Sequence, residues 1–204
     1  MKSINPSAQS RTENYKLLIG SIVPRPIAFV TSHNEEGLVN AAPFSFFNAI
    51  TAKPPLISIS IGRKEGEVKD TAYNIINNKE FVVHIVDNSF IKQVNQTSAD
   101  YPSNVSEIKE TGLKLVESTK VKVSGIQEAK IRMECKLHQA ITIGDDNQPT
   151  CDLIIGEVVM FHIDEDCYAQ GKIHIDNLEP VSRLGGADYS KIGETFTIPR
   201  PEMK

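Results

Sequence analysis

The sequence predicts a mainly β fold of the α+β class, a closed antiparallel barrel with a few peripheral helices, built as one domain over residues 1–204. Three observations predict it. Two long segments late in the chain, "AKIRMECKLHQAITI" and "CDLIIGEVVMFHID", are separated only by the turn-forming "GDDNQP" and read as a paired hairpin. Shorter strand-like segments precede them, each bounded by Pro, Gly or Asn. The helical stretches are too few to alternate with these strands, as a doubly wound parallel sheet would require.

Taken in order, residues 10–20 read as a short amphipathic helix, because Tyr15, Leu18 and Ile19 recur at helical spacing and Gly20 stands where a cap would. "SIVPRPIAFVTS" reads as a strand with prolines at its entry, where a missing N–H is tolerated. "HNEEG" is a turn, and "LVNAA" pairs back across it. "PLISISIG" alternates, with Leu56, Ser58 and Ser60 on one face and Ile57, Ile59 and Ile61 on the other. Asp70 is placed to cap a helix running to Asn77, and "EFVVHIVD" is a β-branched strand. Residues 88–99 read as helical, and "ADYPSNVSEIKETG" as a long, partly helical excursion. In the first of the two long strands Ile131, Met133, Cys135 and Leu137 face one way, while Arg132, Glu134, Lys136 and His138 face the other.

Bulk properties narrow the function classes. A net charge of −4 argues against a nucleic-acid surface, which needs basic patches to meet phosphates. No apolar run approaches the roughly 18 residues of a membrane span. The start, "MKSINPSAQSRTENYK", lacks the apolar core of a signal peptide, and Cys135, Cys151 and Cys167 form neither a CxxC knuckle nor an even disulfide set. Together these predict a reduced, cytoplasmic protein.

Two constellations point to ligand chemistry. "GRKEGEVKDT" gathers Arg63, Lys64 and Lys69 before a helix whose first turn holds Asp70 and Thr71. A helix N-terminus presents unpaired N–H groups that suit phosphate, with a cation and a hydroxyl needed to complete the site. The alternative is a plain helix cap among solvated bases. "NAAPFSFFNAITAKPP" is the second: Ser45, Asn48 and Thr51 punctuate an aromatic run containing Phe44, Phe46 and Phe47. Short polar groups amid apolar walls suit an aromatic heterocycle, whose rim needs hydrogen bonds while its faces need apolar contact. Turn and cap residues beside core aromatics would give the same pattern.

Catalytic motifs are otherwise scarce. His33, His84, His138, His162 and His174 show no HExxH spacing, and no metal site is expected. His162 and Asp164 share a strand face, which suits a surface pair or a cross-strand salt link. There is no GxSxG elbow, no P-loop and no GxGxxG in "RLGGADY". An enzyme of this composition would leave the difficult chemistry to a bound cofactor.

"PRPIAFVTS", "NAAPFSFFNAI…PP", "KDTAYNI", "DYPSNVSEIKETGLKL", "ECKL", "IIGEVVMFHIDED" and "RLGGADY" occur in that order over residues 18–190. Together they resemble the flavin reductase-like, FMN-binding split-barrel family, which includes flavoredoxin-like proteins. The resemblance implies a homodimer of split β-barrels with FMN near the subunit interface. By the same resemblance Ser45, Phe46, Phe47, Asn48 and Thr51 lie along the isoalloxazine and ribityl parts. Ser60, Gly62, Arg63, Lys69, Asp70 and Thr71 match the phosphate end, with Asp70 as cap or as orienter of Lys69. Arg183 and Tyr189 of "RLGGADY" would close over the cofactor, from this chain or from a partner subunit. The implied activity is an FMN-dependent oxidoreductase in which NADH or NADPH passes hydride to flavin N5 and the electrons move on to an acceptor or a partner monooxygenase. A carrier with permanently held FMN, reduced by a protein donor, and a non-catalytic FMN-binding protein are the alternatives.

Overall fold

The computed structural model describes residues 1–99, 101–102, 105–145 and 148–201, so parts of the "DYPSN" and "GDDNQP" segments lie outside the described residues. A capping box opens α1 (Arg11–Ser21): the Glu13 N–H donates to Ser10 Oγ at 3.2 Å, and the Ser10 N–H donates to the Glu13 carboxylate at 2.8 Å. The expected apolar stripe of this helix does not pack on the core. Ile19 alone is buried, while Tyr15 and Leu18 are each 53% exposed; the helix meets the body near its C-terminus, where Ile19 and Gly20 approach Gly185 and Arg25. Nor does Gly20 cap it; Gly20 is inside the helix, and the last carbonyls are taken by Arg25.

The barrel strands follow: β1 (Arg25–Pro26), β2 (Ala28–His33), β3 (Val39–Phe44), β4 (Phe47–Ala52) and β5 (Pro55–Gly62). Next come α2 (Asp70–Asn78), β6 (Glu80–Ile85), α3 (Ile91–Gln96), α4 (Glu107–Thr111) and the short pair β7 (Leu115–Val116) and β8 (Gly125–Ile126). The long hairpin is β9 (Ile131–Asp145) and β10 (Gln148–Ile163), and the chain closes with β11 (Tyr168–Ala169), β12 (Lys172–Ile173), α5 (Ile175–Leu178), β13 (Val181–Arg183) and β14 (Tyr189–Lys191). The main sheet is antiparallel throughout, in the order β3-β2-β6-β9-β10-β5-β4, and β1, β13 and β14 form a separate three-stranded ribbon.

That order explains why the barrel is split. β3 and β4 stand at opposite edges of the sheet, yet only Ser45 and Phe46 separate them in sequence. So short a link spans at most about 10 Å, so the sheet must curl until its edges nearly meet. A crossing segment closes the seam instead of a ladder. Its one backbone tie of note is the Ser60 N–H donating to Phe46 O at 2.8 Å.

The interior is filled as the alternation predicts. Ile57, Ile59 and Ile61 of β5 meet Met133 and Cys135 of β9, Ile154 of β10 and Phe81 and Val83 of β6. Gly156 on β10 is required by this packing, since a Cβ there would stand 2.3 Å from the Phe81 ring. The other face of β9 departs from expectation at Glu134, which is fully buried. Residues 117–124 fold over it, and its carboxylate accepts from the N–H groups of Thr119, Lys120 and Val121 at 2.6–3.0 Å. His162 is hydrogen-bonded to the same carboxylate at 2.5 Å. The expected cross-strand link is therefore present as a hydrogen bond, with Glu134 as the partner in place of Asp164. Burial alone would raise the Glu134 pKa; the hydrogen bonds from Thr119, His162 and Lys120 outweigh it and hold the group at about 2.

Candidate functional site

Two cavities of about 240 and 290 Å³ lie side by side with Pro43, Phe44 and Ser98 in both linings, and are treated together as one groove in the size range of ligand pockets, roughly 300–1,000 Å³. The groove runs along the end of β3, beside the barrel seam. Its first half lies between α1, the Ser45 crossing, α3 and the β13–β14 ribbon, and includes Arg25, Ile27, Ser45, Asn95, Arg183 and Tyr189. Its second half lies at the N-terminus of α2 and includes Asn40, Lys69, Asp70, Thr71 and Glu107.

The first half mixes apolar walls, among them Ile19, Ile27 and Phe44, with polar groups in near equal measure. Arg25 is buried, and its Nη1 donates to Ile19 O at 2.7 Å and Ile22 O at 2.5 Å. Nη2 donates to Leu184 O at 2.7 Å, and Nε reaches Ser45 Oγ at 3.4 Å. One guanidinium thus ties together the end of α1, the seam crossing and the "RLGG" segment. Across the groove the Arg183 guanidinium stacks on the Tyr189 ring at 4.5 Å and donates to Gly186 O, whose residue turns with φ of +62°. The Tyr189 hydroxyl donates to Asn95 Oδ1 at 2.9 Å, which pins the ribbon to α3.

The second half has the character of an anion site. The N-cap of α2 is Lys69, not Asp70, which is the first helical residue, and the helix runs to Asn78, one residue past the expected end. No side chain caps its first turn, so those N–H groups stay open toward the groove. The Lys69 ammonium has no acceptor among the described residues. Thr71 is buried and its hydroxyl donates to Asn40 Oδ1 at 2.9 Å, while Asn40 Nδ2 donates to Glu107 at 2.7 Å. Glu107 also accepts from the Ala41 N–H at 3.0 Å; burial raises its pKa despite these bonds, and the charge of Asp70 adds to the rise.

The structure brings together Ser45, Lys69, Asp70, Thr71, Arg183 and Tyr189 of the sequence-predicted set. It places the others elsewhere on this chain. Phe46 is exposed, with the Arg25 guanidinium 5.9 Å from its ring centre, and Phe47 packs against the core. Asn48 and Thr51 sit on the exposed edge strand β4, where Asn48 Oδ1 accepts from the Ala49 N–H and Thr51 Oγ1 from the Lys53 N–H. Ser60 and Gly62 lie on β5 opposite Leu153 and Cys151. Arg63 is drawn away from the groove into a bidentate pair with buried Asp152, at 2.7 and 2.8 Å, which Thr142 also joins. Arg183 and Tyr189 of this chain line the groove. Arg25, Asn40 and Asn95 were missed. An arginine set between two prolines in an otherwise apolar strand entry was the available signal for the first; Asn40 and Asn95 carry no local signal.

Among the described residues no cluster of His, Cys, Asp and Glu could hold a metal, and no helix is long and apolar enough to cross a membrane. The family model for a flavin reductase-like domain matches residues 19–176. The chain belongs to the flavin reductase-like family. A flavin-related oxidoreductase is therefore the functional class and a flavin the cofactor class. The family has members of high similarity to this chain. An uncharacterized protein, YwrF, of Bacillus subtilis (strain 168) is 51% identical over 195 residues, covering 94% of this chain and 95% of that one. The crystal structure of nitrilotriacetate monooxygenase component B from Bacillus cereus is 52% identical, covers 97% and 98% of the two chains and superposes with a TM-score of 0.96. That of the 2-nitrobenzoate 2-nitroreductase NbaA from Pseudomonas fluorescens is 34% identical, covers 98% and 96%, and gives a TM-score of 0.89.

Proposed function

We infer that the chain is an FMN-dependent oxidoreductase that takes hydride from NADH or NADPH and passes the electrons to a separate acceptor. The observation that carries this reading is the pair of adjoining cavities that leads from the Arg25–Ser45–Tyr189 cluster to the open N-terminus of α2 beside Lys69. One end offers mixed apolar and hydrogen-bonding walls, and the other an uncapped helix start with a free ammonium. FMN has the matching polarity, a flat heterocycle at one end and a phosphate at the other. When bound, the flavin supplies the hydride-accepting and electron-donating chemistry, so the protein needs no catalytic triad.

The protein's own residues bind and orient. Lys69 and the first-turn N–H groups of α2 hold the phosphate, with Thr71 and Asn40 bracing the strand beside it. Ser45, Arg25 and Tyr189 border the heterocycle, and Arg183 stiffens the Tyr189 wall by stacking on it. Asn48 and Thr51, on the exposed β4, reach a flavin where it extends along the seam toward that edge or where a second copy brings its own flavin to it. The chain acts as a homodimer in this reading, since Tyr15, Leu17 and Leu18 of α1 together with Phe46 and Ile50 leave apolar surface around the seam that a second copy would cover. The similarity to the Bacillus cereus nitrilotriacetate monooxygenase component B supports an acceptor reached through a partner monooxygenase.

Anaerobic titration of the FMN-loaded protein with NADH and NADPH tests the reading. Bleaching of the flavin absorbance near stoichiometric reductant supports it. Flavin that stays oxidised with both donors but is reduced by a protein donor would instead support the electron-carrier alternative, and absence of FMN binding would defeat both.

A further inference from the structure

Arg25 carries a positive charge into the groove with no opposite charge to meet it. It is 6% exposed, and every acceptor it has is neutral: the carbonyls of Ile19, Ile22 and Leu184 and the hydroxyl of Ser45. Those contacts use four of the five guanidinium N–H groups. The fifth, on Nη2, has no acceptor among the described residues, and no described carboxylate lies within ion-pair distance. A guanidinium stays charged at any relevant pH, so burial cannot be relieved by losing a proton. A buried cation in this condition is costly on its own and favours whatever ligand brings negative charge next to it.

We propose that Arg25 discriminates between the redox states of the bound flavin, tightening the reduced ring over the oxidised one. The proposal rests on the FMN reading above and concerns which residue senses the electrons. Hydride transfer moves two electrons and one proton from the dihydronicotinamide to the flavin. The donor leaves as the oxidised nicotinamide cation, and the neutral isoalloxazine becomes an anion carrying one added hydrogen. No protein proton is consumed. A negative charge therefore appears in the ring during the reaction, in a cavity whose wall already holds a fixed cation. Arg25 is anchored to three separate segments, so it cannot swing away to a distant carboxylate, and it needs no reorganisation when the charge arrives.

The other cations of the groove cannot fill this role. Lys69 stands at the phosphate end, where the charge is the same in both redox states. Lys64 lines that same end, and Arg183, stacked on Tyr189, is only half-buried, so solvent screens its charge far more than that of Arg25. Arg25 is thus the group whose removal should separate the two affinities.

The test compares FMN dissociation constants in the oxidised state and after anaerobic dithionite reduction, for the full chain and for Arg25→Gln and Arg25→Lys. The expected result for Arg25→Gln is a loss for reduced FMN about tenfold or more greater than the loss for oxidised FMN. Each tenfold corresponds to a fall of about 30 mV in the two-electron midpoint potential of bound flavin. Arg25→Lys, which keeps the charge, should retain most of the discrimination. Equal losses in both states would overturn the proposal and leave Arg25 as a scaffold for α1 and Leu184. Should Arg25→Gln not fold, the unaltered protein still decides. An anionic reduced ring takes up one proton per two electrons, so its midpoint potential should change by about 30 mV per pH unit from pH 6 to 8. Twice that slope through the same range would show a neutral reduced ring and sink the proposal. Failure of the unaltered protein to bind FMN in either state defeats the FMN reading and this proposal together; binding with equal losses defeats this proposal alone.

Discussion

Protonating His84 should be one of the main ways acid weakens this fold. The imidazole is fully buried on β6, its ring tilted against Phe29. Nδ1 lies 2.8 Å from Phe29 O and so carries the hydrogen, while Nε2 accepts from the Ile126 N–H at 2.9 Å. Both ring nitrogens are satisfied only in the neutral Nδ1–H form, because a proton on Nε2 would face the Ile126 N–H. Burial lowers the pKa from 6.5 to about 3, with the nearby Arg132 charge acting in the same direction and the bond to Phe29 against it. Since the folded value lies below the unfolded one, the stability His84 contributes is whole above pH 6.5 and is lost as pH falls toward 3. At pH 4 the unfolded histidine lies 2.5 units below its pKa and the folded one remains neutral, a cost of about 3 kcal/mol. That is a large part of a typical domain's stability. Urea unfolding followed by far-UV circular dichroism at pH 7, 5.5 and 4 would read it, with His84→Gln as the non-titrating control. The unaltered protein should take up about one more proton on unfolding than the variant at pH 5.5 and 4, and much less at pH 7. The reasoning is refuted if nuclear magnetic resonance shows the His84 ring titrating near pH 6.5 in the folded protein.

Other changes have equally definite outcomes. Lys69→Ala should weaken FMN by about ten- to a hundredfold and leave riboflavin nearly untouched, as calorimetry with both ligands would show, because only FMN presents the phosphate. Equal loss for both would remove Lys69 from the phosphate site. Gly156→Ala drives a methyl into the Phe81 ring and should cost about 1–3 kcal/mol, read as a lowered melting temperature, with Phe81→Leu in the same chain recovering part of it. Glu134→Gln removes the charge that gathers three N–H groups and His162, so the amides of Thr119, Lys120 and Val121 should lose hydrogen-exchange protection well before the core strands do.

Strand periodicity carried most of the barrel. Ile57, Ile59 and Ile61, and Met133 with Cys135, face the core as their alternation requires, since a one-residue slip would put all of them in water. Periodicity could not see that residues 117–124 cover Glu134, because a loop's resting place depends on acceptors elsewhere in the sequence. It also misjudged α1, where helical spacing of Tyr15, Leu18 and Ile19 suggested a core-facing stripe that the isolated chain leaves mostly exposed. At the site, Lys69 and Thr71 were legible as a helix-start pattern, and Ser45 as a polar break in an aromatic run. Arg63 fitted the same pattern equally well, but its destination was decided by Asp152, 89 residues away and invisible to local reading.

The break in the barrel and the position of the groove have a common origin. A continuous ladder gives every backbone group a neighbour and every side chain a cross-strand partner, leaving little room for a ligand. Between β3 and β4 the ladder is missing, and Ser45 and Phe46 cross from one edge of the sheet to the other. Groups there must be satisfied by side chains from outside the sheet. Arg25 supplies part of that need by reaching Ser45 while holding the end of α1 and the Leu184 carbonyl. The same residue that closes the seam is therefore the one left with a spare N–H and an unmatched charge beside the cavity. Sealing β3 to β4 with a regular ladder would remove the need for Arg25, and with it the charged wall of the groove.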